Sequence, residues 1–136
     1  MCRADMDDGR PDVYRETEVK AAGKQHRCRE CYRTIEPGEP YTSAFVVLDG
    51  HASTERTCQH CKVGARWLID TCSGYVFGEV CEELHEHAQE YAGTNVAMPL
   101  ARVVVGMRRK WKTFRGDGLM PAPQMPPPID VGAANG

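Results

Sequence analysis

Two tight cysteine pairs, Cys28-x-x-Cys31 and Cys58-x-x-Cys61, constrain this chain more than any other feature. A C-x-x-C turn lets two thiolates converge on one ion while nearby backbone N–H groups soften their charge. Two such turns complete a tetrahedral shell for Zn2+. A single pair leaves a redox dithiol open. The doubled pair favours structural zinc, one ion per chain, with an iron–sulfur cluster on the same four ligands as the alternative. The chain holds seven cysteines, an odd count that disulfide pairing cannot exhaust.

The residues between the pairs narrow the kind of zinc module. After the first pair, Pro37-Gly38 suits the centre of a type II turn. A β-branched and aromatic stretch from Tyr41 to Leu48 then reads as a strand. Asp49-Gly50 is a strong hairpin signal, and it returns the chain through Ser53 to Thr57 so that the second pair meets the first. Helical spacing follows: Cys61, Ala65, Leu68 and Cys72 share one face, and Thr57 is placed to cap a helix whose first turn carries Cys58 and Cys61. A knuckle, a β-hairpin and a ligand-bearing helix in that order define a treble-clef-like zinc module, with a layout similar to GATA-type fingers and a longer hairpin.

Two more helices are predicted. Phe77, Val80 or Cys81, Leu84, Ala88 and Tyr91 recur at helical spacing, with Gly93 as the C-terminal stop. Leu100, Val104, Met107, Trp111 and Phe114 do the same, with Pro99 at a favourable first position. For the second segment the run Val103 to Val105 and Gly106 leave a strand as the alternative. Residues 77–92 and 99–115 are therefore expected to form an antiparallel helical pair. Their charges are complementary: Glu79, Glu82, Glu83, Glu86 and Glu90 on one, Arg102, Arg108, Arg109, Lys110, Lys112 and Arg115 on the other. The fold class is α+β, a treble-clef-like module followed by that pair.

At 136 residues the chain has room for one domain, given about 100–200 residues per domain. Residues 23–115 are assigned to it. Residues 1–22 read as a flexible N-terminal segment containing Cys2, and residues 116–136 as an extended tail rich in Pro and Gly. No apolar run reaches the roughly 18 residues of a membrane span, and MCRADMDDGRPD has no hydrophobic signal core. The expectation is a cytosolic protein without membrane contact, whose thiols stay reduced.

The segments HRCRECYRTIEPGEPY, TCQHCKVGARWLIDTCSGYVFGEVCEELHEH and MRRKW together resemble a group of small phage and prophage proteins with paired cysteines and no assigned chemistry. That resemblance covers roughly residues 26–123 and implies a host-cytoplasmic setting. It carries over no catalytic residue.

Several residues invite a chemical role. An HNH-like nuclease would need a second, catalytic metal on His and Asp or Asn, yet His51 and His60 lack the surrounding pattern, and zinc with four protein ligands has no open position for water. No enzymatic activity and no small-molecule substrate are therefore expected. Cys81 and His85, four apart on a helix, form a second candidate metal pair to which Cys72 would add a third ligand. The plainer reading makes Cys72 and Cys81 core residues and His85 a solvated side chain. The remaining candidate is MRRKWKTFR, where Arg108, Arg109, Lys110 and Lys112 surround Trp111. Such a segment can meet phosphates while aromatic rings stack on bases, whereas a seam position for Trp111 and Phe114 leaves only the charges outside. The net charge of −2 argues against general nucleic-acid coating. The expected role is a protein-interaction module that modulates a host or phage macromolecule, with nucleic-acid binding through residues 108–115 as the alternative.

Overall fold

Strand formation begins earlier in the chain than the sequence suggests. In the computed structural model, which describes residues 12–113, 115–116 and 118–128, β1 (Val13–Val19) pairs antiparallel with β4 (Tyr41–Leu48), and β4 pairs antiparallel with β5 (His51–Cys58). The sheet order is β1-β4-β5. The segment expected to be flexible through residue 22 thus supplies an edge strand from residue 13 onward. Its polar side chains explain why it escapes pattern reading. Glu16 and Glu18 are both engaged by the rest of the fold: half-buried Glu16 forms an ion pair with buried Lys62, and exposed Glu18 accepts hydrogen bonds from the Thr42 hydroxyl at 3.0 and 3.1 Å. Polar residues at these positions leave no apolar alternation to detect.

The β4–β5 hairpin forms as its turn chemistry dictates. Asp49 and Gly50 both have positive φ, 51° and 80°, the conformation that a two-residue turn needs to match the twist of its strands. Pairing then runs from Leu48–His51 at the tip to Tyr41–Cys58 at the base. A second, minimal hairpin, β2 (His26–Arg27) with β3 (Thr34–Ile35), frames the first cysteine pair.

Three helices follow: α1 (Gln59–Cys72), α2 (Val80–Glu90) and α3 (Ala97–Arg108). The apolar face of α1 is the expected one, since Cys61, Ala65, Leu68 and Cys72 are all buried. Its start is not: Cys58 ends β5 in an extended conformation and occupies the cap position, so α1 begins one residue later with no side-chain cap, and Thr57 lies buried in the strand. α2 and α3 pack beside each other after the connection at residues 91–96. Cys81 Sγ lies against the Val104 carbonyl at 4.0 Å, joining the first turn of α2 to the second half of α3, as an antiparallel pair requires. The α1 helix crosses this pair at Gly64, where an added Cβ would lie 2.8 Å from Leu84 Cδ1. Val80, Leu84, Leu100, Val103, Val104 and Met107 close the core around that crossing.

Both helices of the pair are shorter than the periodicity predicts. Phe77 and Tyr91 fall outside α2. Residues 100–107 are helical, which removes the strand alternative, but α3 stops at Arg108 rather than 115. The stop is a Schellman motif: Trp111 N–H bonds the Gly106 carbonyl at 2.7 Å and Lys110 N–H bonds the Met107 carbonyl at 3.0 Å. Lys110 and Trp111 take left-handed conformations, φ 54° and 58°. Glycine normally marks such a stop, and lysine in its place hides it. Phe114 lies outside the described residues.

The tail is extended where described but not free. The chain doubles back through a bridge between Lys112 and Leu119, and Met120 and Met125 pack against the core. None of the helices among the described residues is long and apolar enough to cross a membrane.

Candidate metal centre

Local turns place the four ligands. The β2–β3 hairpin presents Cys28 and Cys31 from a knuckle closed by Cys28 N–H to the Arg33 carbonyl, 2.9 Å, and Tyr32 N–H to the Cys28 carbonyl, 3.0 Å. Tyr32 takes φ 65° to make that turn. Cys58 ends β5 and Cys61 sits one helical turn on, so the strand-to-helix junction delivers the second pair. The four sulfurs lie within 4.8 Å of one another, and all four residues are buried. Cys31 Sγ and Cys58 Sγ stand 3.9 Å apart. This is the set that the sequence spacing picks out, and it is the one such group among the described residues.

Electrostatics make the cluster unsuited to four neutral thiols. Hydrogen bonds from Cys31, Cys58 and Cys61 hold the Cys28 thiol far below its usual range, while the hydrogen bond with Cys28 and burial push Cys61 far above it. One thiolate gains at its neighbours' expense, and a bound cation relieves that competition by favouring ionisation of all four. Two further donors aim at the sulfurs: Cys58 N–H reaches Cys28 Sγ at 3.3 Å and the Trp111 indole N–H reaches Cys61 Sγ at 3.2 Å. Donors of this kind spread thiolate charge, as partners around metal ligands generally do.

Two residues around the cluster make contacts that sequence reasoning missed. Glu30, inside the first pair, is buried, and its carboxylate accepts from Gly78 N–H at 2.8 Å and Val80 N–H at 3.0 Å, capping α2 from the knuckle. Burial raises its pKa to about 7 against the opposing pull of those two amides. Trp111 is 2% exposed and packs against His60 in a tilted arrangement with ring centroids 5.2 Å apart. Neither role has a local signature, because the partners lie about fifty residues away.

Cys81 and His85 belong to no group of three or more metal-ligating residues among the described residues. The Cys81 thiol lies against the Val104 carbonyl and near Arg108, with its pKa raised mainly by burial. Helical spacing alone put the two on adjacent turns, but the helical pair turns Cys81 inward. Cys72 is buried, as the core reading expects, with its Sγ 3.5 Å from His87 Nε2; Cys2 lies outside the described residues. His51 sits exposed at the hairpin tip, while His60 is buried beneath Trp111.

Some of the charges expected to face each other across the helical pair also have other partners. Glu83 is fully buried, its carboxylate accepting from Val76 N–H at 2.9 Å. Arg109 turns its guanidinium onto the Lys112 and Thr113 carbonyls at 3.4 and 2.9 Å. Lys110 and Lys112 point elsewhere again. With Arg27 and Arg33 from the knuckle they line an open cleft of about 420 Å3, four cations against one acid, Glu36, with Tyr32 also on its wall. Tyr32 is 49% exposed there. Arg33 is pulled toward the sheet by Glu39 at 3.1 Å. The sequence contains both halves of this basic cleft but not their meeting, which depends on the turn after α3.

Comparison with protein-family models, curated proteins and solved structures gives no match for this chain. The fold and the site therefore define the class by themselves: a mixed α/β protein with small antiparallel sheets, three helices and a buried four-cysteine cluster able to hold a metal ion.

Proposed function

We propose that the chain is a zinc-stapled, treble-clef-like module that acts by binding nucleic acid in its basic cleft. Zinc fits the donor set: four sulfurs at about 2.3 Å from one ion define tetrahedron edges of about 3.8 Å, close to the 3.9 Å between Cys31 and Cys58. With four protein ligands the ion is a scaffold, and Cys28, Cys31, Cys58 and Cys61 tie the knuckle to the sheet and α1.

The observation that carries the binding role is the convergence of Arg27, Lys110 and Lys112 beside exposed Tyr32. Cations spaced along a cleft match a phosphate backbone, and an exposed ring offers a base a stacking partner. A protein partner is the second reading. It draws on exposed Phe45 and Leu48 on the hairpin, and on the phage-type resemblance, which makes a host or phage protein the candidate.

Fluorescence anisotropy with a labelled single-stranded oligonucleotide tests the first reading. Affinity should fall steeply as salt rises, and Lys110→Gln with Lys112→Gln should flatten the log–log slope by about one to two. Binding that ignores both salt and the double substitution rejects the cleft. Host proteins that co-purify equally well after nuclease treatment favour the second reading.

A further inference from the structure

The tail lies on α1 in a way that no metal site or basic cleft requires. His60 and Trp67, two helical turns apart on one face of α1, both direct a ring N–H at a tail carbonyl: His60 Nε2 lies 2.6 Å from Met120 O, and Trp67 Nε1 lies 3.3 Å from Pro127 O. A carbonyl only accepts, so His60 carries its proton on Nε2. Met125, Pro126 and Pro128 form one wall of a cleft of about 400 Å3, opposite Tyr41, Val63 and Trp67. Trp67 itself is 2% exposed.

Proline-rich chain has a particular recognition problem. It carries carbonyl acceptors but few N–H donors, and its backbone is held extended without internal hydrogen bonds. A surface that binds it therefore offers donors and flat apolar contacts, the combination found in aromatic grooves that take such segments. The α1 face supplies both, and the seated residues are Met125-Pro126-Pro127-Pro128.

We propose that this groove is a binding site for extended proline-rich segments, occupied in cis by the chain's own tail and open to such a segment from another chain when the tail leaves. A cis occupant competes at the high effective concentration of a tether, so trans binding is strong only when the tail is unseated. The site stands on Trp67 and the tail alone and is independent of the nucleic-acid reading.

The probe is a fluorescein-labelled peptide MPAPQMPPP, titrated into the full-length zinc-loaded protein. A variant with Met125→Ser and Pro126, Pro127 and Pro128 each replaced by Gly should bind it at least ten-fold tighter than the unaltered chain does. A peptide with all its prolines changed to glycine should bind at least ten-fold more weakly. Adding Trp67→Phe should remove most of the gain. If that substitution prevents folding, the Trp67 indole N–H resonance replaces it. The signal should move when the tail is unseated and return as the peptide is added. Equal affinity for the two protein forms, indifference to the prolines, or a static indole signal would overturn the proposal.

Discussion

Substituting Gly106 with alanine tests the link between helix α3 and the metal centre. Alanine normally strengthens a helix interior by about 1 kcal/mol over glycine. Here an added Cβ would stand 2.3, 2.5 and 2.9 Å from three atoms of the Trp111 ring. Carbon atoms pack at about 3.5–4.0 Å, so the ring must retreat by roughly an ångström or more. Trp111 has nowhere cheap to go, being 2% exposed, packed against the His60 ring and hydrogen-bonded to Cys61. Overpacking costs about 1–3 kcal/mol, and a hydrogen bond to a charged acceptor contributes about 1.5–3. Against the helical gain, the net loss is about 1.5–5 kcal/mol, or a fall in Tm on the order of 10 °C for a chain of this size. Thermal unfolding at saturating zinc measures it. The sign should reverse in a Trp111→Ala background, where Gly106→Ala meets an empty space and stabilises by about 1 kcal/mol. A higher Tm for Gly106→Ala in the unaltered chain would refute the reasoning.

Further outcomes are expected elsewhere. Elemental analysis should give one zinc per chain, and Cys28→Ala or Cys61→Ala should leave the knuckle and hairpin unfolded by NMR, because structural zinc contributes roughly 10–16 kcal/mol of apparent binding free energy in finger peptides; a folded, metal-free protein would contradict the assignment. Glu30→Ala strips the Gly78 and Val80 amides of their acceptor, at a cost of about 1–3 kcal/mol, and hydrogen exchange should show the first turn of α2 opening more often than α3. Leu84→Asp places a carboxylate at a site with no exposure. That substitution should cost at least about 3 kcal/mol in denaturant titrations, and a near-neutral result would mean that the helical pair is assembled differently.

Legibility in the sequence followed the range of the interaction. Metal ligation and turn chemistry are local, so the cysteine spacing and Asp49-Gly50 announce the cluster and the hairpin. The apolar repeats gave the buried faces of α1 and α2, including Leu84. Whatever depended on a distant partner stayed hidden. Glu16 reads as a surface acid until Lys62 meets it in the core. Glu83 looks like one more member of an acidic face, but its carboxylate holds the Val76 amide. Trp111 fits a helical seam by spacing, yet it is buried by a chain reversal that lysine, not glycine, turns. The cleft shared by the knuckle arginines and the lysines after α3 stayed hidden too, since the two lie far apart in the chain and meet only through the turn after α3.

The order β1-β4-β5 leaves β5 as a sheet edge, and the knuckle rests upon it. Arg29 N–H bonds the Arg56 carbonyl at 2.7 Å, and the Arg29 side chain pairs with Glu55 at 3.1 Å. Once the metal is removed, the knuckle loses its hold, and unpaired carbonyls and amides along β5 become a template for strands of other molecules. Chelation should therefore produce turbidity that grows with protein concentration, rather than a simple monomeric coil. A bound ion would then guard against self-association as much as it would secure the fold.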